Sequence, residues 1–421
     1  MSGESERKTE EILSKPSLLY EYGLLVERLG VVGEKTSVLL LILALTSRLL
    51  GQVISVIVKG DSSGGKSYLL KRCLELFPED AYYEYTSMSN KALIYTDKNF
   101  SHKFIIFYEF KGQENDEINH LIRTLQSEHR LKYEYTTKVD GEFKTISIDK
   151  AGPTGFITTT TKLRIFDENE TRVFSLFVDE SAEQTRRVCQ RIGSEYEAGD
   201  NNVLEAEVER WKDLQQSLKP YKVRIPYATW LSQNVPHRNL RMRRDFERIL
   251  LCISACALLH QNQRKTFQEN GHNFLEASLT DYFLVKEALE PSLVKTYRTI
   301  SPNQERLIKI INELYLERGS TRESQEVKEG VPINEVILRM GRPRSTVQRW
   351  LKSVIEMGQI EAFSLGKRMQ YRPSRQSTAL EIFLPSLERL ASAYPELADN
   401  LELVHPISGE QVVLTGGHTG R

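Results

Sequence analysis

The stretch Val53–Ser67, VISVIVKGDSSGGKS, constrains this chain more than any other part of it. VISVIVK is a β-branched run with no polar face, the pattern of a strand buried within a parallel sheet. Gly60-Asp61-Ser62-Ser63-Gly64-Gly65-Lys66-Ser67 follows at once and matches G-x-x-x-x-G-K-S. Tyr68–Phe77 then has the spacing of a helix, closed by Pro78. Strand, glycine-rich turn and helix in that order form a phosphate cradle. Gly60, Gly64 and Gly65 let the backbone aim its N–H groups at a phosphate chain, with Ser62 and Ser63 between them, and the following helix adds its positive end. Lys66 is the group to neutralise β- and γ-phosphates, and the Ser67 hydroxyl the group to hold Mg²⁺. The expected cofactors are therefore ATP and Mg²⁺.

At 421 residues and 48.5 kDa the chain is too long for one core, so roughly two or three domains are expected. Lys+Arg and Asp+Glu tie at 57 each, and any affinity for a polyanion must come from local patches. The longest apolar runs, Val38–Leu45 and Ile249–Leu259, fall short of the roughly 20 residues a membrane span needs. The polar start MSGESERKTEE lacks an apolar segment, and the four cysteines are unevenly spaced; both favour a reducing, cytoplasmic setting without membrane contact. Cys252 and Cys256, one helical turn apart in an apolar stretch, read as core, with no neighbouring ligands to complete a metal site.

Further buried runs at Phe104–Phe107, Gly155–Thr161 and Phe174–Val178 alternate with helical segments, which predicts an α/β fold: a parallel sheet with helices on both faces. Glu183–Leu289 reads as mostly helical. The expected division is N-terminal helices over 1–50, the phosphate-loop core over 51–190, a helical lid over 191–298, a DNA-binding unit over 299–375 and a tail over 376–421.

P-loop ATPases carry an acid at the end of a second buried strand. KFIIFYEF offers Glu109 there, but Tyr108 stands where a second acid is usual. Glu109 is thus a candidate general base, a candidate Mg²⁺ ligand, or both. At the end of GFITTTT, the hydroxyl of Thr159 or Thr160 could align water on the γ-phosphate, although four threonines are also ordinary strand residues. Arg172, in ENETR, follows that strand where ring ATPases project an arginine into the neighbour's nucleotide. Arg243 and Arg244, in LRMRRDF, open a long apolar helix; cations there oppose the helix dipole, which suggests an anionic partner.

GDSSGGKS, IIFYE, GFITTTT, ENETR and LRMRRDF, taken in order over about residues 30–290, resemble the AAA+ ATPases of mobile elements and phage-like islands. Those proteins are similar to the minichromosome-maintenance helicases and often accompany or are fused to primases. The resemblance implies a homo-oligomeric ring, a hexamer, with ATP at subunit interfaces and DNA through the centre. Primase or other replication proteins are the further partners it suggests. It also gives a role to LKYEYTTKVDGEFKTISIDK, whose alternation around Asp140-Gly141 predicts a β-hairpin. In helicases of that kind such a hairpin enters the pore, and Lys138 and Lys144 flank its tip as candidates for phosphate contact.

The 301–375 region carries the second strong pattern. Ser301-Pro302-Asn303-Gln304 and Ser345-Thr346-Val347-Gln348 read as helix starts of the capping-box type. Val347, Leu351, Val354 and Ile355 line one face of the last helix, leaving Arg344, Gln348, Arg349 and Lys352 outward, as in a recognition helix. A hairpin wing with Lys367 and Arg368 at its tip follows. Glu335–Arg375 holds nine Lys/Arg against three acids, a local net charge of +6, which is a phosphate-binding footprint. The functional expectation is an ATP-dependent DNA helicase. The alternatives are a non-translocating AAA+ switch that loads or remodels replication or transposition proteins, and a DNA-binding regulator with a degenerate ATP site.

Overall fold

The computed structural model describes residues 11–86, 88–108, 116–139, 142–161, 172–198, 203–237, 242–298, 302–319, 330–356, 359–365, 368–374, 384–398 and 401–413. The chain divides into two compact units. One comprises Met1–Val235, Arg243–Ser292 and Leu384–Arg421; the other comprises Pro236–Met242 and Leu293–Phe383.

In the first unit, α1 (Leu18–Arg28) and α2 (Lys35–Thr46) lead into β1 (Val56–Lys59) and α3 (Lys66–Leu74). Helix α2 is buried on nearly every side, which explains its unbroken apolar sequence. Strand β2 (Tyr82–Tyr85), α4 (Asn90–Tyr95), β3 (Lys103–Phe107) and α5 (Asp116–Glu128) follow. Next come the hairpin β4 (Arg130–Val139) and β5 (Glu142–Ala151), then β6 (Thr154–Thr160) and β7 (Phe174–Phe177). The sheet order is β2-β3-β6-β1-β7, every pair parallel, an α/β arrangement with β1 between β6 and β7. The hairpin stands outside this sheet as its own ribbon. Strand β2 was not expected: its YYEY sequence has no alternation, and it lies at the sheet's edge, where burial gives the weakest pattern.

Helices α6 (Ala182–Ala198), α7 (Val203–Ser217), α8 (Ala228–Asn234), α9 (Met242–Leu259) and α10 (Leu279–Arg298) continue the chain. The expectation of a mainly helical stretch here is incomplete. Strands β8 (Lys222–Arg224), β9 (Thr266–Glu269) and β10 (His272–Glu276) form a small sheet of order β8-β10-β9. Asn270 and Gly271, with φ of 51° and 74°, make the tight turn between β9 and β10, and Phe267 stacks on Phe274 at 5.4 Å. In the same unit, Arg48 donates to Gln215 Oε1 and to its carbonyl, both at 2.9 Å, tying the end of α2 to α7.

The second unit holds α11 (Pro302–Gly319), β11 (Val331–Pro332), α12 (Ile333–Met340), α13 (Arg344–Glu356), β12 (Ile360–Leu365) and β13 (Arg368–Pro373). The strands form one antiparallel sheet of order β11-β13-β12. Leu307, Ile311, Val336, Val347, Leu351, Val354 and Ile360 share its core. Gly341, at φ +62°, ends α12 in the left-handed turn that favours glycine. One detail differs from the sequence reading, while Ser301, the cap expected before α11, lies outside the described residues. Helix α13 begins at Arg344, with Thr346 and Val347 donating to the Pro343 carbonyl, so Ser345 lies inside the helix rather than capping it. Gln304 donates to Ser353 Oγ at 2.8 Å, joining α11 to α13.

The last described stretch, α14 (Leu387–Ala393) with β14 (Leu403–Val404) and β15 (Gln411–Val412), belongs to the first unit. Tyr282 Oη donates to the Pro385 carbonyl at 2.5 Å, and Lys35 Nζ reaches the Ile407 carbonyl at 3.4 Å. Among the described residues no helix is long and apolar enough to cross a membrane.

Candidate functional site

The phosphate loop leaves β1 at Gly60, whose N–H donates to the Thr160 carbonyl at 3.2 Å. Ser63 and Gly65, at φ 71° and 78°, put two left-handed turns into the loop before α3 begins. A Cβ at Gly65 would meet nothing within 4 Å, whereas one at Gly60 would lie 2.3 Å from Val178 Cγ2. Glycine is therefore needed at Gly60 for close approach and at Gly65 for its dihedral. Ser62 and Ser63 are exposed, Gly64 N–H closes the loop on the Asp61 carbonyl at 3.1 Å, and Ser67 lies half-buried in the first turn of α3. Lys66 is buried, and its ammonium donates to the Asp61 carbonyl inside the loop.

Two segments with no motif of their own flank this loop. Tyr68 Oη donates to the Leu29 carbonyl at 3.1 Å, Asp179 N–H donates to Glu34 Oε1 at 2.6 Å, and Gln184 Nε2 donates to the Val32 carbonyl at 2.5 Å. Glu180 accepts from the Asp61 N–H. The pair Gly30 and Gly33, both at positive φ, was the available sequence signal for the first of these segments.

Thr160, buried beside Lys59 in the sheet register, lies next to the loop; Thr158 Oγ1 donates to the Phe107 carbonyl at 3.0 Å instead. Glu109 lies outside the described residues. Tyr108 precedes it: burial raises its phenol pKa, and its hydrogen bond to Glu84 adds to the shift. A protonated phenol committed to Glu84 supplies no anionic ligand. The Ser67 hydroxyl is an oxygen donor of the kind Mg²⁺ takes and would be the group on this loop to hold the ion beside a bound phosphate chain.

Arg172 is half-buried and donates to Ser127 Oγ at the end of α5. Arg243 and Arg244 are exposed on the first turn of α9. Sequence reasoning missed what lies beneath them. Asp245 and Arg248 form a buried pair at 2.7 Å, and Arg248 lies 5.5 Å from the centre of the Phe174 ring. Asp245 also supplies the negative charge that a basic helix start lacked.

Lys138 and Lys144 are exposed on opposite faces of the ribbon, Lys138 opposite Phe143 and Lys144 opposite Thr137. In the second unit Arg344, Gln348, Arg349 and Lys352 are all exposed on α13, over buried Val347, Leu351 and Val354. Arg344 Nη1 lies 3.5 Å from Asn334 Oδ1. Arg368 is exposed at the start of β13; Lys367 lies outside the described residues.

Cys256, His260 and Asp281 bring ligand atoms within 4.8 Å of one another, all buried, which the reading of Cys256 as plain core did not anticipate. Their hydrogen bonds are already committed. His260 Nε2 accepts from Leu18 N–H at 3.0 Å, and its Nδ1 lies 2.8 Å from the Cys256 carbonyl as donor. Asp281 takes both Arg264 nitrogens at 2.8 Å and the Ser278 N–H at 2.8 Å. A cation there would sit against a guanidinium, so the cluster is a structural knot joining α1, α9 and α10. Burial, reinforced by Arg264, pushes the His260 imidazole from 6.5 down to about 4. Between those pH values the unfolded chain binds the extra proton, so stability rises with pH through that window. Lowering the pH from 7 to 5 is expected to cost up to about 1.4 kcal/mol per unit below the ordinary histidine value. Urea midpoints should fall more steeply in wild type than in His260→Gln; parallel slopes would contradict the assignment.

The fold and loop together define a P-loop domain, the architecture of nucleotide-binding NTPases. The family described as MTBMA_p00010 P-loop domain matches residues 6–218, and the chain belongs to it. No curated protein matches the chain.

Proposed function

We propose that this protein is an ATP-driven DNA motor of the AAA+ class, a hexameric replicative helicase of a mobile element. Lys66 and Ser67 hold nucleotide and metal, Glu109 activates water, and Thr160 aligns it. Arg172 acts on the neighbour's nucleotide, while Arg243 and Arg244 of a helical lid reach the γ-phosphate. Lys138 and Lys144 contact DNA from the hairpin. The second unit serves as a winged helix, with α13 in the major groove and Arg368 and Lys367 on the wing. The observation that carries this reading is the ribbon Arg130–Ala151, inserted between β3 and β6 of a nucleotide-type sheet that does not need it. The helix-helix-hairpin unit with its exposed basic face supports the same reading. Primase or other replication proteins are the partners that fit.

Tyr108, in place of an acid, favours a second reading, in which the chain remodels proteins on DNA or regulates without translocating. A strand-displacement assay separates the two. The motor predicts ATP-dependent unwinding that Lys66→Ala abolishes; hydrolysis without unwinding selects the remodeller. For the second unit, Arg349→Ala and Lys352→Ala should each weaken duplex binding and reduce its salt slope by about 1. Unchanged slopes would remove α13 from the DNA interface.

A further inference from the structure

No motif marks residues 401–413, yet they form a tight turn against three helices of the first unit. Between β14 and β15, the Gly409 N–H donates to the His405 carbonyl at 2.9 Å, and the His405 N–H to the Glu410 carbonyl at 2.8 Å. His405 Nδ1 accepts from the Ile407 and Ser408 N–H groups, each at 3.2 Å, and its Nε2 lies 3.4 Å from Glu287 of α10. Leu403 and Pro406 are buried beneath. Gly409, at φ +77°, presses on Tyr20 of α1: a Cβ there would lie 2.2 Å from the ring. The Ile407 carbonyl accepts from Lys35 Nζ, at the start of α2, and the same ammonium pairs with Glu27 of α1 at 3.1 Å. The turn thus bears on the joint between α1 and α2.

That joint, residues 29–34, is also bonded to the surroundings of the phosphate loop. Tyr68, directly after Ser67, holds the Leu29 carbonyl, Gln184 holds the Val32 carbonyl, and Glu34 takes the Asp179 N–H. Glu180 in turn accepts from Asp61 within the loop. A loop of this kind holds phosphates and leaves the sugar and base outside it. Residues 29–34 and 179–184, bonded to one another, form a wall beside the loop against which a nucleoside can rest. The joint is therefore held from both sides, by the site on one and by the turn on the other. With the turn seated, the ordering entropy of that wall is met on folding rather than on binding.

We propose that the C-terminal turn, residues 404–410, positions the 29–34 segment for the nucleoside end of the nucleotide, so that Gly409 and Lys35 set nucleotide affinity without touching the ligand. The inference rests on reading the loop as a nucleotide site and adds a positioning element that lies far from it in the chain.

The test uses the full chain, mant-ATP with Mg²⁺, and inorganic tripolyphosphate as a competitor that has no nucleoside. Gly409→Ala drives a methyl group into the Tyr20 ring and strains a left-handed residue, which unseats the turn. It is expected to weaken mant-ATP binding about threefold to thirtyfold, the range for a residue that acts on a site through its neighbours. Lys35→Met, which removes the bond to the Ile407 carbonyl, should shift affinity in the same direction, whereas Lys35→Arg keeps a donor and should retain it. Tripolyphosphate affinity should stay within about twofold in all three variants, as for sites that share no partner. Unchanged mant-ATP binding in Gly409→Ala or in Lys35→Met, or an equal loss of tripolyphosphate, would overturn the positioning role alone. Wild type that binds neither ligand would overturn the nucleotide reading beneath it as well.

Discussion

Lys66→Ala is expected to lower nucleotide hydrolysis about 100- to 1,000-fold, the range for removing one preorganised charge-stabilising donor from a transition state. The fold should not suffer. Among the described residues the Lys66 ammonium hydrogen-bonds to its own loop's Asp61 carbonyl alone, and a cation at the first turn of α3 opposes the helix dipole, so its loss is neutral or slightly stabilising. Hydrolysis measured beside the urea midpoint separates the two roles. A large activity loss at constant midpoint is predicted; retained hydrolysis would remove Lys66 from the phosphate site.

The largest stability effect is expected at Asp281. Burial alone would raise its carboxyl pKa, but the Arg264 guanidinium and its paired hydrogen bonds outweigh that and hold it below the usual range. Its bond to Ser278 N–H also completes the cap of α10. Asp281→Ala strands a buried guanidinium and uncaps the helix, for a loss of about 3–5 kcal/mol. Replacing both partners, Arg264→Met with Asp281→Leu, should recover much of it, because neither charge is then left alone. Denaturant unfolding of the three variants checks this. A loss below about 1 kcal/mol for Asp281→Ala would mean that the pair is solvated.

These two sites differ in how far the sequence exposed them. The phosphate loop was legible because its chemistry is local: glycines, lysine and serine act within eight consecutive positions, between a strand and a helix with clear patterns. The Arg264–Asp281 pair joins residues 17 apart, and the His260–Leu18 bond residues 242 apart, so no window contains either. Strands β9 and β10 were hidden differently. Asn270-Gly271 is a strong hairpin signal, but it lies between α9 and α10, whose long apolar patterns dominated the reading. On α13 the apolar spacing gave the buried face correctly, while Pro343 rather than Ser345 set where the helix starts.

The central claim, that a P-loop site is coupled to nucleic acid, is tested most directly by steady-state ATP hydrolysis of the full chain with Mg²⁺, with and without single-stranded DNA. A rate that rises severalfold with DNA is predicted. Hydrolysis identical in the two conditions would contradict the coupling, and none in either would contradict the site.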